Sequence, residues 1–176
     1  MSKIIMSARN MDRCLDRISL EILERNHGIE NLAIIGIHTG GVFLAERIRQ
    51  KINVREHGEL LVGSLDITLY RDDWSLISQN PIVRKTDIGF SLEGLRVVLV
   101  DDVVFTGRTI RAAMDAIMDY GRPNMIQLAA LVDRGGRELP IQPDFVGMSF
   151  RAGENEQVDV LLKENADRDE VIVLEK

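Results

Sequence analysis

Two adjacent carboxylates and a Thr-Gly-Arg-Thr turn lie within nine residues of each other. Asp101 and Asp102 follow the apolar run 96–100, and Thr106, Gly107, Arg108 and Thr109 come shortly after. Backbone N–H groups at the start of a helix are unpaired, and the helix dipole draws an anion toward them. Gly107 lets the chain turn tightly, and the two threonine hydroxyls add donors. The combination suits a monophosphate. On these four residues alone, a plain helix start capped by Thr106 is an equally good reading. The Gly-x-x-x-x-Gly-Lys-Ser/Thr phosphate loop is absent.

Acids repel phosphates, so a ligand that suits both groups has two different ends. Carboxylates at a strand end ligate metals, move protons or hold sugar hydroxyls. Ribose 5-phosphate meets both demands. Its phosphate would lie on 106–109, its 2- and 3-hydroxyls would donate to the carboxylates, and the ring would keep the two apart.

Such groups need a scaffold that presents strand ends. Residues 9–25 place Met11, Cys14, Leu15, Ile18, Ile22 and Leu23 at helical spacing, with Gly28 as a stop. The run 32–37 is apolar throughout, as in a strand covered on both faces. A helix is predicted from about 42 to 51, and a long strand over 60–70. Residues 71–90 turn polar and are too many for a plain turn, which suggests a lid or hairpin. Strands are predicted again at 96–100, 125–132, 145–150 and 171–174. Between them, 109–120 reads as a helix with Ile110, Met114, Ile117 and Met118 on one stripe, ended by Gly121 and Pro123.

This alternation implies an α/β fold, one domain over 1–176, with a mostly parallel central sheet flanked by helices. Ligands in such sheets sit beyond the carboxyl ends of the strands. Three loops qualify: His38–Gly41, Asp101–Thr109 and the segment 133–140.

Composition narrows the setting. With 45% hydrophobic and 28% charged residues the chain has the balance of an ordinary globular domain. A net charge of −6 argues against a dedicated nucleic-acid binder, without excluding a local basic patch. The single cysteine, Cys14, rules out an intramolecular disulfide and any multi-cysteine metal site, and its default role is a buried thiol. No run approaches the roughly 18 apolar residues of a membrane span, and the start lacks a signal-peptide core. A cytoplasmic protein is expected.

Residues 97–110 resemble the signature by which type I phosphoribosyltransferases bind phosphoribosyl pyrophosphate (PRPP). Residues 34–48, 63–73 and 121–147 extend the likeness over nearly the whole chain, and "DITLYRDD" with "VDRGGRELPI" is similar to the PyrR family. Its members are bifunctional, uracil phosphoribosyltransferases and regulators of pyrimidine-operon mRNA. The resemblance implies the type I phosphoribosyltransferase fold with a small hood near 133–160 and a flexible loop near 70–90. It implies that Asp101 and Asp102 hold the ribose hydroxyls. Val104, Phe105, Thr106, Gly107, Arg108 and Thr109 would wrap the 5-phosphate. Thr39 and Gly40 would meet the pyrophosphate through their backbone, with Arg71 and Arg84 as cations from the loop. Arg137 and the backbone of Val158 would flank uracil. Magnesium would arrive on PRPP, and the partners would be PRPP, uracil, UMP and leader RNA in a homodimer or larger assembly.

Some residues depart from the family pattern. Relatives that use purines carry an aspartate before the Thr-Gly; Phe105 cannot act as acid or base, which disfavours a purine. Gram-positive members carry a basic residue at the position of His38 and an arginine at that of Gly40. On the implied RNA face Arg17 and Arg137 remain, but Asp16, Gly136, Gln142 and Met148 replace polar or basic residues. From Arg151 to Lys176 there are 4 basic and 8 acidic residues, a net −4. RNA affinity is dominated by Lys and Arg contacts to phosphates, so attenuation is the weaker half of the expectation. The competing reading is a nucleotide-sensing RNA-binding regulator with little or no catalysis.

Overall fold

The computed structural model describes residues 2–73 and 82–176. The uninterrupted apolar runs become the inner strands of a parallel sheet, because only a strand covered on both faces can be apolar throughout. Strands β2 (Leu32–Ile37), β3 (Leu61–Leu65), β4 (Arg96–Val104), β5 (Met125–Asp133) and β6 (Phe145–Ser149) lie in the order β3-β2-β4-β5-β6, all parallel. Helices α1 (Ala8–Asn26) and α2 (Gly40–Glu56) cover one face, and α3 (Arg108–Met118) covers the other. After β2 the chain turns outward to β3, then crosses back to β4 on the other side of β2. The strand ends of β2 and β4 therefore flank a switch point, where open α/β sheets form their ligand crevice.

The helix ends follow their sequence signals. Ser7 caps α1 by accepting the N–H of Asn10 at 3.4 Å, and His27 closes it in the left-handed region at φ 56°. Met11, Leu15, Ile18 and Ile22 form its buried stripe. Cys14 is partly buried, and its Sγ lies 3.5 Å from the carbonyl of Gly147. Among the described residues no helix is long and apolar enough to cross a membrane.

Several elements differ from the pattern in the sequence. The strand expected over 60–70 stops at Leu65. The Asp66 carboxylate accepts the N–H and the hydroxyl of Thr68 at 2.7 and 2.6 Å, which turns the chain into a single 3-10 turn at Thr68–Tyr70. In α3 the buried face is made by Ile110, Ile117 and three alanines, while Met118 is exposed. Asp101 and Asp102 lie inside β4, which runs on to Val104.

A second, antiparallel sheet of three strands forms the hood. It joins β1 (Ser2–Ser7), β8 (Glu170–Glu175) and β7 (Glu156–Leu161) in that order, with the short helix α4 (Lys163–Ala166) between β7 and β8. The hood thus draws on both ends of the chain rather than on 133–160 alone, and Phe145–Ser149 belongs to the main sheet. Of the loop expected near 70–90, residues 74–81 lie outside the described residues. On its return, Ser64 and Asp87 exchange backbone bonds of 2.9 and 2.8 Å. Asp66 accepts the N–H of Arg84 and receives the Thr86 hydroxyl oxygen as acceptor of its own N–H at 3.0 Å.

Arg47 fastens the hood to α2. Its guanidinium donates to both oxygens of Glu164 at 2.8 and 2.6 Å and to Asp169 at 2.7 Å. The bond from Arg47 holds the Glu164 carboxyl below its usual range; at Asp169 burial opposes the charge, and the bonds from Arg47 and the Lys163 N–H with the charges of both residues together bring it below its usual range too. Arg47→Met is expected to cost about 1–3 kcal/mol in urea unfolding at neutral pH, since charged hydrogen bonds are worth about that much and two acids lose their partner. Carboxyls depressed in the folded state contribute stability that is present above their unfolded values near 4 and lost as pH falls through the folded ones. The difference between variant and native chain should therefore shrink toward pH 3.

Candidate active site

The carboxyl end of β4 leads into the N-terminus of α3 through Phe105, Thr106 and Gly107, and these residues line a cavity of about 430 Å³. Gly107 sits at φ 92°, a left-handed conformation that glycine adopts freely, and is the residue that starts α3. Thr106 does not cap the helix in the usual manner; its hydroxyl accepts the N–H of Arg108 at 3.2 Å, two residues on. Asp101, Val104, Thr109 and Arg71 face the same cavity.

The two carboxylates part company. Neighbouring residues on a strand point to opposite faces. Asp101 lines the cavity beneath the phosphate turn, on the side of α3. Asp102 reaches the other way, toward the first turn of α2: a Cβ placed on Gly40 would stand 2.4 Å from its Oδ2. The N–H of Asp102 donates to Asp101 Oδ1 at 3.0 Å, and that of Val103 to Asp102 Oδ1 at 2.8 Å. Burial first, and then the like charge of Asp102, push Asp101 well above the usual carboxylate range. Burial raises Asp102 as well, although the Val103 N–H and the contact with Asp101 pull it partly back. Two buried acids without a cation between them form a site that favours hydroxyl donors or developing positive charge.

The other expected residues fall into place unevenly. Thr39 and Gly40 lie where β2 passes into α2, beside Asp102 but outside the cavity; the His38–Thr39 peptide is cis. Arg71 faces the cavity and pairs with Asp73 through bonds of 2.9 and 3.0 Å. Arg84 joins the region through its backbone bond to Asp66. Arg108 does not present a free cation: it bonds Asp72 and Glu138, each at 2.6 Å. Val158 is buried in β7, paired with Val173 of β8. Arg137 donates to the carbonyl of Phe105 and does not open toward the cavity beside Asp101. It lines instead a smaller cavity of about 330 Å³ with Asp133, Gln142 and Arg151. Arg17, on α1, bonds Glu21 at 2.9 Å and the Gly147 carbonyl at 2.7 Å.

Arg134 was not singled out by its position in the sequence. Its guanidinium stacks on the ring of Phe105, 3.7 Å from the centroid, and its buried Nε has no hydrogen-bond partner among the described residues. The segment 133–140 was recognisable as a strand-end loop, but four residues of it carry charge, and spacing does not say which faces the ring. Among the described residues no cluster of three or more His, Cys, Asp or Glu side chains could hold a metal ion.

The comparisons agree on the superfamily. Residues 2–161 match the model of the phosphoribosyl transferase domain. The chain is 51% identical over 172 residues to the bifunctional protein PyrR of Syntrophobacter fumaroxidans, covering 98% of this chain and 92% of the relative. It is 55% identical over 172 residues to PyrR of a Thermoanaerobacter species, covering 98% and 97%. Among solved structures, the hypoxanthine phosphoribosyltransferase of Trypanosoma cruzi aligns with a TM-score of 0.72 at 17% identity, covering 98% of this chain and 96% of that one. The enzyme of the same name from Staphylococcus aureus gives 0.70 at 17% identity, covering 99% and 92%. These structural likenesses establish the fold.

Proposed function

The chain belongs to the phosphoribosyl transferase domain family and, within it, to the bifunctional PyrR proteins, and from that premise we propose that it transfers the ribose 5-phosphate of PRPP to uracil, forming UMP and pyrophosphate. The observation that carries the reading is the buried pair Asp101–Asp102 at the switch point, with the phosphate turn on one side and the first turn of α2 on the other.

The 5-phosphate would lie on the N–H groups of 105–109 at the start of α3, where the helix dipole also favours it. Asp101 would accept from the ribose hydroxyls beneath that turn. Asp102 lies beside Gly40 and would face the bond between C1 and the pyrophosphate. As that bond breaks, positive charge builds on the sugar, and two carboxylates already short of a cation stabilise it. The electron pair of the broken bond leaves with the pyrophosphate, and N1 of uracil bonds to C1 as the N1 proton passes to solvent. Magnesium bound to the diphosphate would neutralise the leaving group. Arg71, which lines the cavity, would turn its positive charge from Asp73 toward the pyrophosphate.

Phe105 supports a pyrimidine. A purine ring needs a group that handles a proton at its five-membered ring, and phenylalanine offers none. With PRPP, magnesium and labelled bases, the protein should convert uracil to UMP and leave hypoxanthine unchanged. UMP binding without UMP formation would leave a nucleotide sensor in place of an enzyme.

The regulatory half rests on the kinship with bifunctional proteins, and we propose pyrimidine-operon leader RNA as the partner. The charge distribution makes that contact weak, since both cations expected there, Arg17 and Arg137, are bonded within the chain. Filter binding across salt concentrations tests it; a shallow salt response would mean few phosphate contacts.

A further inference from the structure

We propose that Arg137 is a positioning residue for the phosphate turn, holding the peptide groups of 104–107 so that their N–H ends face the ligand; the proposal rests on the reading that this turn binds the 5-phosphate.

Three consecutive carbonyls of the turn are fastened to the segment 134–139. The Val104 carbonyl accepts the N–H of Arg134 at 3.1 Å, and the Thr106 carbonyl accepts those of Glu138 and Leu139 at 2.9 and 3.2 Å. Between them, the Phe105 carbonyl accepts Nη1 of Arg137 at 2.8 Å. In a trans peptide the C=O and the following N–H point in opposite directions. Tying the carbonyls of 104, 105 and 106 to one side therefore turns the N–H groups of Phe105, Thr106 and Gly107 to the other, which is what an anion needs. Two of the three ties are backbone bonds that any sequence could make. The central one depends on a single side chain.

That side chain is held on all its working edges. Nε of Arg137 donates to the Ile141 carbonyl at 2.8 Å, and Nη2 to Asp133 Oδ2 at 2.8 Å. The other oxygen of Asp133 accepts the N–H of Gly135 at 3.0 Å. A planar fork with three fixed acceptors is a rigid bridge between β5, its following loop and the phosphate turn, and a lysine cannot reproduce it. The neighbouring residues support the same register. Arg134 lies on the face of Phe105, and Gly136 lets the edge of the ring approach so closely that a Cβ there would stand 2.5 Å from it.

The test compares Arg137→Met and Arg137→Lys with the native chain in three readouts: KM for PRPP, KM for uracil and the dissociation constant of UMP. Arg137→Met should raise KM for PRPP and the UMP constant about tenfold, the cost of freeing one charge-assisted bond and its neighbours, with kcat and KM for uracil within about twofold. Arg137→Lys should recover little of this. A rise in KM for uracil with PRPP unaffected would make Arg137 a base contact and overturn the proposal. So would unchanged UMP affinity with lost RNA binding. Asp133→Asn, which keeps the shape but loosens one leg of the fork, should shift the same two constants by about threefold, and serves if Arg137→Met fails to fold. Thr109→Val separates the two levels of inference. Unchanged UMP affinity in that variant would remove the phosphate turn itself, whereas a loss there with none in Arg137→Met would overturn the role of Arg137 alone.

Discussion

Asp102→Asn is expected to cut turnover about 10²–10³-fold while raising the melting temperature. The first effect follows from removing one preorganised charge next to the developing sugar cation, a class of change that costs about that much. The second follows from burial. Burial pushes both Asp101 and Asp102 above the usual carboxylate range, and Asp101 is raised further by the like charge of Asp102. Asparagine keeps an oxygen to accept the Val103 N–H and removes the like charge from Asp101. For an acid whose folded-state pKa is raised, the native state holds its proton more tightly than the unfolded chain does. The cost to stability is therefore absent below the unfolded value near 4 and fully present above the folded value. Thermal unfolding across pH checks the sign: the gain in the variant should be largest near neutrality and fade toward pH 4. The acid limb of the pH–rate profile of any residual activity should also move to lower pH, because Asp101 has lost the neighbour that raised it. A variant with native turnover, or one that melts below the native chain at pH 7, would remove the pair from the centre of the mechanism.

The same residues show how far the sequence reaches. That 101–109 combines acids with a phosphate turn is legible from residue types alone, as are the inner parallel strands at 32–37, 96–100 and 125–132, because a two-faced apolar strand has only one kind of place to go. The division of labour between Asp101 and Asp102 is not legible, since it depends on which helix covers which face of β4. The hood is hidden for another reason. Ser2–Ser7 pairs with Glu170–Glu175; the strand at 171–174 is legible, but its partner at the other end of the chain is too short and irregular to declare itself. Arg47 carries no signal in the sequence, and Arg137 is expected there beside uracil and on the RNA face. Their meaning appears only when Glu164 and Asp169, or Phe105 and Asp133, arrive from distant parts of the chain. Asp66 ended a predicted strand early because a short polar side chain bonding two residues ahead competes with the ladder.

Gly41→Ala should be the most damaging single-carbon change in the site, and its neighbour Gly40→Ala should behave differently. A Cβ on Gly41 would stand 2.2 Å from the carbonyl oxygen of Val100, a backbone atom in the middle of the sheet. Behind it, a Cβ on Gly36 would meet the Gly41 carbonyl and the Val42 Cα at 2.5 Å each, so β2, β4 and the first turn of α2 are in contact without side chains between them. Nothing flexible is available to give way. The methyl must push α2 off the end of β4, at about 1–3 kcal/mol for overpacking, which is a drop of several degrees for a chain of this size. The same movement carries Thr39 and Gly40 away from Asp102, and a displacement of about 1 Å at a reacting centre can cost about 10²-fold in rate. At Gly40 the obstruction is the Asp102 side chain, Oδ2 first, then Cγ at 2.9 Å and Cβ at 3.1 Å, and its carboxylate can turn away about the Cα–Cβ bond while only Cβ must give by a few tenths of an ångström. Gly40→Ala should therefore melt within about two degrees of the native chain yet lose turnover, because the carboxylate has been turned away. Melting curves and kcat for the two variants, measured side by side, separate a steric role of the backbone from an electrostatic role of Asp102. Equal loss of stability in both, or native kcat in Gly40→Ala, would mean that Asp102 does not act from the position it holds against α2.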